Sequence, residues 1–261
     1  MGEYQNITLA VEGRTGIITI DHPPANAFDT LTVTELNDAF DEATGDEQVK
    51  VIIITGAGQF FVAGADINEI NKLQGYDDAY RVVRAGQELF NKIERSAKPV
   101  IAAINGRACL GGGNELAMAC HIRLSEDSVQ FGQPEIKLGV MPGFGGSQRL
   151  PRLVGKGRAL EIMLGGGNIK AQEAYRIGLV NKVVPVGTVV REAKRWAKAL
   201  SIWGGVAMAS ILQAVNEGLD MTLEEGMIRE AELFAGLSAT EDMYEGLSAF
   251  LEKRRPQFRD K

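Results

Sequence analysis

The sequence contains few of the residues that build metal sites and disulfide frameworks. Two cysteines and two histidines occur in 261 residues, and Cys109 and Cys120 form no Cys-x-x-Cys pair. These counts exclude a Cys/His zinc site and an H-E-x-x-H metalloprotease site, so we predict no bound metal. A Ser-His-Asp triad is also disfavoured, because it would have to use His22 or His121.

Positive charge and long apolar runs are scarce as well. The chain carries 28 Lys and Arg residues against 34 Asp and Glu, a net charge of -6, whereas proteins that hold nucleic acid by bulk electrostatics are normally basic. No apolar stretch approaches the roughly 18 residues of a membrane-spanning helix. The first residues contain no apolar segment like that of a signal peptide. We therefore expect a cytoplasmic protein with reduced cysteines.

The rest of the composition is that of a globular α/β protein, with 45% hydrophobic and 24% charged residues. In the first half, short β-branched segments alternate with amphipathic ones. Ile7–Val11 and Gly16–Asp21 predict a hairpin, and Val49–Thr55 predicts a buried strand. The second half has mostly helical periodicity. We predict an α/β core with the active site over residues 1–195, and a helical region over residues 196–261 that is not an independent domain.

Three segments resemble common functional motifs but lack residues that those motifs require. Gly56-x-Gly58 begins like a dinucleotide fingerprint, but Phe61 stands where a small residue is needed. Gly155-Lys156 lacks the flanking residues of a phosphate-binding loop, and Ser147 does not lie in a G-x-S-x-G elbow. Common nucleotide-binding and serine-hydrolase functions are therefore disfavoured.

Two glycine-rich turns lead from strand-like to helix-like segments, at Phe60–Asp66 and Gly111–Glu115. Small residues let a ligand approach the backbone, and a helix N-terminus has free N–H donors. Two such turns facing each other would hold a carbonyl oxygen as an oxyanion hole, although tight turns alone also explain the glycines. Asp66 and Glu69 have the spacing of a capping box, which predicts that a helix begins after Asp66.

Two carboxylates stand out against apolar surroundings. Glu115 lies in the first turn of a predicted apolar helix, and Glu135 follows Pro134, which favours an extended or turn geometry. Composition alone favours plain roles, with Glu115 interacting with the helix dipole and Glu135 on the surface. If both are buried and close together, their proton affinities diverge, as acid–base catalysis at neutral pH requires.

Four stretches together resemble the enoyl-CoA hydratase/isomerase (crotonase) superfamily, and within it the 2-enoyl-CoA hydratases. They are FVAGADI (61–67), PVIAAINGRACLGGGNELAMA (99–119), FGQPEIKLG (131–139) and PGFGGSQRL (142–150). The resemblance covers nearly the whole chain. It implies a crotonase-like α/β fold, a spiral of ββα units with a helical C-terminal trimerisation region. It also implies assembly as a homotrimer or homohexamer.

The resemblance implies roles for individual residues. Glu115 and Glu135 match the two catalytic glutamates of hydratases, Glu115 mainly activating water and Glu135 mainly protonating Cα. Ala63 and Gly112 match the residues whose N–H groups form the oxyanion hole, and Gly143 matches one whose N–H helps to place the catalytic water. The substrate-binding residues implied in this way are Ala63, Gly64, Ala65, Asp66, Ile67, Gly112, Gly143, Phe250 and Lys253.

Some of these residues are implied to bind coenzyme A. Ala65, Asp66 and Ile67 match the segment that lines its adenine end. Phe250 and Lys253 resemble the terminal-helix residues that a neighbouring subunit lends to this site. Because the chain is acidic overall, the phosphates of coenzyme A have to be met by local Lys or Arg residues.

The implied activity is addition of water to a trans-2-enoyl-CoA, which gives a 3-hydroxyacyl-CoA, in β-oxidation or a related acyl-CoA pathway. Coenzyme A enters as part of the substrate, so no separate cofactor and no membrane partner is expected. Two alternatives stay open: a 3-enoyl-CoA to 2-enoyl-CoA isomerase, and an RNA-binding relative. Isomerases of the family generally work with one carboxylate, at the Glu135 position, so Glu115 favours hydration. The basic residues of the predicted helix Asp77–Arg95 are interleaved with acidic ones, which argues against RNA binding.

Overall fold

Two β-sheets form the centre of the protein in the computed structural model, which describes residues 4–261. The strands in this range are β1 (Ile7–Glu12), β2 (Thr15–Ile20), β3 (Val51–Gly56), β4 (Val100–Ile104), β5 (Ala108–Leu110), β6 (Ile122–Glu126), β7 (Gln130–Gly132), β8 (Asn168–Lys170) and β9 (Lys182–Val184). The larger sheet has the order β1-β2-β3-β4-β6-β9, and the smaller has β5-β7-β8. The predicted β1–β2 hairpin is confirmed, and the remaining pairs of the larger sheet are parallel.

The larger sheet is covered on both faces, which explains the continuous apolar runs of its strands. All six residues of β3 are buried. Ile52 and Ile54 pack into a cluster with Phe40 on one face, whereas Ile53 packs with Ala193 on the other. A parallel sheet that is buried on both sides selects such β-branched sequences instead of an alternating pattern.

Helices surround the two sheets. In the described range they are α1 (Thr30–Gly45), α2 (Ile67–Ile70), α3 (Gly75–Glu94), α4 (Gly112–Ala119), α5 (Gly146–Val154), α6 (Lys156–Gly165), α7 (Ala171–Arg176), α8 (Val189–Leu200), α9 (Gly205–Gly218), α10 (Leu223–Leu237) and α11 (Glu241–Leu251). A 3-10 helix at Pro134–Leu138 begins with its proline and ends at Gly139 in the left-handed conformation.

Within residues 4–261, no single helix is long and apolar enough to cross a membrane. Only α8 and α9 taken together would reach that length, and they are bent by 110°.

Two successive units of the chain each give one strand to each sheet. β4 of the larger sheet leads to β5 of the smaller sheet and then to α4, and β6 leads likewise to β7 and the 3-10 helix. Because β5 and β7 are parallel neighbours, the segments that follow them leave the same edge of the smaller sheet. The α/β fold with its ββα units is therefore confirmed, and it brings Glu115 and Glu135 to one place.

The predicted boundary at residue 195 lies inside α8 and has to be moved. Ala193 and Ala197, on either side of it, are buried in the same cluster against the larger sheet. The helix therefore belongs to the core, and the helical region begins after Leu200. There α9, α10 and α11 leave large apolar side chains exposed, such as Leu223 and Phe234.

The predicted capping box at the start of α2 is half correct. The Asp66 carboxylate accepts from the N–H of Asn68 at 2.8 Å and caps the helix. Glu69 does not turn back to Asp66, because the Asp66 N–H already donates to the carbonyl of Phe28 at 2.8 Å. The Glu69 carboxylate instead accepts from both the N–H and the hydroxyl of Thr30, each at 2.8 Å. It therefore ties the start of α1 to α2.

Candidate active site

An open cleft of about 1200 Å³ lies between α3 and the segments that follow β5 and β7. Most of the sequence-predicted site residues line it: Ala63, Gly64, Ala65, Asp66, Ile67, Gly112, Glu115, Glu135 and Gly143. Phe250 and Lys253 do not, since Phe250 lies near the end of α11 with 82% of its surface exposed and Lys253 follows that helix. Their predicted role depends on a neighbouring subunit and stays a prediction.

Glu115 is nearly completely buried in the first turn of α4, with 2% of its surface exposed. Its Oε1 accepts from the N–H of Gly146, the first residue of α5, at 2.7 Å. Position 146 has no room for a side chain, because a Cβ there would lie 2.9 Å from that same Oε1 and 3.0 Å from Cβ of Pro142. The carboxylate is therefore held between the N-termini of two helices.

The surroundings of Glu115 place its proton affinity near neutrality. Its pKa is raised from 4.5 to about 7, mainly by burial and in part by the Glu135 carboxylate. The N–H groups of Gly146 and Phe144 and the guanidinium of Arg149 favour the charged form and limit the rise. A carboxyl with a pKa near 7 can both take up and release a proton at neutral pH.

Glu135 reaches the same cleft from the 3-10 helix and is half-buried there. Burial raises its pKa too. Gln133, with its amide oriented as its neighbours require, donates to Oε1 of Glu135 at 3.0 Å and to the carbonyl of Gly111 at 3.3 Å. A Cβ at Gly111 would lie 3.1 Å from Oε1 of Glu135, and Gly111 also has a φ of 51°. The Glu135 carboxylate therefore lies against the turn that begins α4.

The predicted oxyanion-hole donor at Ala63 needs a correction. Its N–H already donates to the carbonyl of Ala25 at 3.1 Å. Two residues later, Ala65 pairs with Phe28 in a parallel bridge in which the carbonyl of Gly64 and the N–H of Asp66 make the hydrogen bonds. The N–H of Ala65 consequently points away from Phe28, and no hydrogen bond among residues 4–261 uses it.

Gly112 supplies a second free donor to the cleft. It is the first residue of α4, so its N–H has no partner within the helix. A Cβ at Gly112 would lie 3.2 Å from the ring of Phe28 and 3.5 Å from the ring of Phe144. Phe90 packs against both rings, with centroid distances of 6.0 and 5.6 Å. Ala65 and Gly112 therefore each bring a free N–H to the cleft, and Gly112 lies beside an aromatic wall.

Sequence reasoning missed three polar contributors to this site: Gln133, Gly146 and Arg149. All three lie in the stretches that carry the resemblance, but no residue of a single sequence shows which carboxylate it will contact. The Gly145-Gly146 pair was the one usable signal, since paired glycines mark a close approach of the backbone. Among residues 4–261, no three His, Cys, Asp or Glu side chains are grouped so as to hold a metal ion.

Comparison with known proteins identifies the family of the chain. The sequence model of the enoyl-CoA hydratase/isomerase family matches residues 12–261. The chain belongs to this family. The predicted superfamily is therefore confirmed, and the match extends from the first hairpin through the helical region.

Individual members of the enoyl-CoA hydratase/isomerase family are similar to the chain over nearly its full length. A crotonyl-CoA hydratase from Syntrophomonas wolfei is 44% identical over 257 residues, which cover 98% of each chain. A short-chain-enoyl-CoA hydratase from Clostridium acetobutylicum is 42% identical and covers 97% of each. The crystal structure of an enoyl-CoA hydratase from Bacillus anthracis superposes with a TM-score of 0.93 at 35% identity, covering 98% of this chain and all of that one.

Proposed function

We propose that the protein is an enoyl-CoA hydratase, which adds water across the double bond of a trans-2-enoyl-CoA and yields a 3-hydroxyacyl-CoA. The observation that carries this proposal is the convergence in one cleft of two carboxylates with raised pKa values, Glu115 and Glu135, beside the free N–H of Gly112. The family membership and the hydratase names of the relatives support it.

In the proposed mechanism, the thioester carbonyl binds between the N–H groups of Ala65 and Gly112. When the water oxygen bonds to C3, the π electrons of the double bond move toward Cα and negative charge develops on the thioester oxygen. Fixed N–H donors stabilise that charge without reorganising, and one such donor is worth about 2.7–4 kcal/mol where it has been removed from an enzyme. In this chain Ala65 takes the place predicted for Ala63, whose N–H is occupied by Ala25.

The two carboxylates carry the proton transfers. Glu115 accepts the proton that the attacking water loses, and Glu135 delivers the proton that Cα gains. The N–H of Gly146 keeps the Glu115 carboxylate in a fixed orientation for the water, and Gly143 lines the cleft where its N–H would help to place that water. The Glu135 carboxylate raises the pKa of Glu115, so the protonation state of one affects that of the other. Neither step requires a separate cofactor or a metal ion.

The coenzyme A part of the substrate is proposed to extend from Ala65 along Asp66 and Ile67 toward the mouth of the cleft. Lys72 and Arg81 line the cleft and are the proposed phosphate ligands. We further propose a homotrimer or homohexamer in which Phe250 and Lys253 approach a neighbour's site. The apolar side chains exposed on α9, α10 and α11 support such an assembly.

The two unpaired, buried thiols support the predicted cytoplasmic setting.

The observed charges do not favour the RNA-binding alternative. On α3, Arg81 lies 3.5 Å from Asp78 and Arg84 lies 3.3 Å from Glu88. Lys92 pairs with Asp41 at 2.7 Å. Each of these three basic residues lies beside a carboxylate, which does not favour a continuous positive surface for RNA.

The proposal is tested by giving the purified protein 2-enoyl-CoA substrates of increasing acyl length and, in parallel, a 3-enoyl-CoA. A hydratase consumes the 2-enoyl thioesters, seen as loss of the conjugated-thioester absorbance and as a product heavier by one water. An isomerase would instead convert the 3-enoyl-CoA into a conjugated thioester of unchanged mass. Isomerisation without hydration would replace the proposal by the first alternative.

A further inference from the structure

Arg149 is a buried cation that joins three parts of the fold. It lies in the first turn of α5, and 8% of its surface is exposed. Its Nε and Nη2 donate to the two carboxylate oxygens of Glu94, at 3.1 and 2.7 Å, and Nη2 also donates to Oδ1 of Asn91 at 2.6 Å. Its Nη1 donates to the carbonyl of Phe144 at 3.1 Å. One guanidinium therefore links the C-terminal end of α3 to the loop before α5.

That loop is held at three nearly consecutive residues. Gln87 on α3 donates to the carbonyl of Gly143 at 2.7 Å, Arg149 donates to the carbonyl of Phe144, and the N–H of Gly146 reaches Glu115. Between them, Gly145 has a φ of 109°, and a Cβ there would collide with Nη1 of Arg149. The guanidinium thus occupies the space that the glycine leaves and fixes the direction in which the backbone enters Gly146.

We propose that Arg149, itself held by Glu94, is a positioning residue for Glu115. It fixes the backbone from Phe144 to Gly146 so that the Gly146 N–H meets the carboxylate, and its positive charge offsets part of the cost of burying that carboxylate. The functional consequence rests on the proposed function, in which Glu115 is the base. The contact between the Gly146 N–H and the Glu115 carboxylate, and the effect of Arg149 on the protonation of that carboxylate, are independent of the proposed function.

The charged and titratable groups around Glu115 come from several elements. Glu135 on the 3-10 helix raises the pKa of Glu115, and Arg149 on α5 lowers it. Glu94 on α3 pairs with Arg149 and so acts on Glu115 only indirectly. α4 itself has no titratable side chain other than Glu115. β5 contributes the thiol of Cys109, whose pKa burial raises. Loss of the guanidinium would therefore leave burial and Glu135 opposed only by backbone N–H groups.

The test compares Arg149→Gln and Arg149→Lys with the parent enzyme, using the pH dependence of kcat/KM on crotonyl-CoA. Arg149→Gln should move the acid limb upward by about one pH unit and lower kcat/KM at pH 7 about fivefold, because an opposite charge typically shifts a carboxyl pKa by about one unit or more. Arg149→Lys should keep the acid limb near its original pH, because the positive charge remains. It should lower kcat, because an ammonium group cannot donate to both Glu94 and Phe144 as the guanidinium does. Arg152→Gln is the matched control on the same helix, with a half-exposed side chain 3.6 Å from Asp220.

A second readout does not use activity. The effect of Glu115→Gln on the unfolding midpoint is measured across pH in the parent and in the Arg149→Gln background. The effect begins near the unfolded-state pKa in both backgrounds, but it should level off about one pH unit higher, and at a larger value, in the second background, because the folded-state pKa sets where it ends. If Arg149→Gln does not fold, Glu94→Gln replaces it, with kcat expected to fall severalfold at constant KM.

The outcomes separate this inference from the proposed function. An unchanged acid limb together with an unchanged unfolding pattern, or an unchanged kcat in Glu94→Gln when that variant is used, would reduce Arg149 to a structural role and overturn the inference. If the parent protein hydrates no enoyl-CoA but the unfolding pattern still moves, the proposed function fails and the positioning of Glu115 by Arg149 stands.

Discussion

Replacing Glu115 by glutamine should stabilise the folded protein at pH 8 and have little effect on its stability at pH 4. Burial raises the pKa of Glu115 from 4.5 to about 7. Because the folded-state pKa lies above the unfolded value, this stability is fully present below about pH 4.5 and is lost as the pH rises through about 7. At about 1.4 kcal/mol per pKa unit, the loss by pH 8 is roughly 3 kcal/mol. Glutamine is uncharged and keeps an oxygen that can accept from Gly146, so it removes this loss.

The assay is urea unfolding at pH 4 and pH 8, at one fixed protein concentration because assembly contributes to apparent stability. Glu126→Gln is the control, since Glu126 is also buried but accepts from the N–H groups of Gly106 and Gly187 at 2.9 and 2.7 Å. Its amide would turn a donor toward one of those groups, which destabilises the fold at pH 8. If Glu115→Gln also destabilises at pH 8, or if its effect is the same at both pH values, the burial argument is refuted.

Three further outcomes follow from the same contacts. Gly146→Ala should lower kcat about 10²-fold by displacing the Glu115 carboxylate, whereas Gly157→Ala, where a Cβ meets open space, should not; equal kcat values would contradict the contact. A Cβ at Gly86 would lie 2.6 Å from the ring of Phe144, which lines the cleft. Gly86→Ala should therefore displace this ring and alter the preference for acyl length, and an unchanged preference in a chain-length series would count against a role for the ring. Light scattering at micromolar concentration should give the mass of a trimer or hexamer, and a monomeric mass would refute the assembly proposed from α9, α10 and α11.

The parts of the site that could be predicted depend on local signals. Glu115 lies in the first turn of a helix that follows three glycines, and Pro134 marks the turn that carries Glu135, so both positions follow from neighbouring residues. That the two carboxylates meet depends on the pairing of β5 with β7. Strands of three residues have too few positions to show a period, so this pairing could not be predicted from periodicity.

The parts that could not be predicted are contacts between residues far apart in the chain. The N–H of Gly146 meets a carboxylate 31 residues earlier, and Arg149 pairs with Glu94 across 55 residues. The choice between Ala63 and Ala65 as oxyanion donor has the same origin. The N–H groups of residues 63 and 65 would point to the same side of a regular strand, but Gly64 between them has a φ of 125°. The chain therefore turns there, so that the N–H of Ala63 pairs with Ala25 while the bridge to Phe28 leaves that of Ala65 free.

The most direct test of the central claim is the rate of crotonyl-CoA hydration by the parent enzyme, Glu115→Gln and Glu135→Gln, with the product identified by a mass increase of one water. We expect the parent to form the 3-hydroxyacyl-CoA and each variant to lose about 10²-fold or more in kcat, the scale of general acid–base catalysis. Binding of a non-reactive acyl-CoA should change little in either variant. Turnover at the parental rate in a folded Glu115→Gln or Glu135→Gln enzyme would contradict the two-carboxylate mechanism, and a parent enzyme that forms no hydrated product would contradict the proposed function itself.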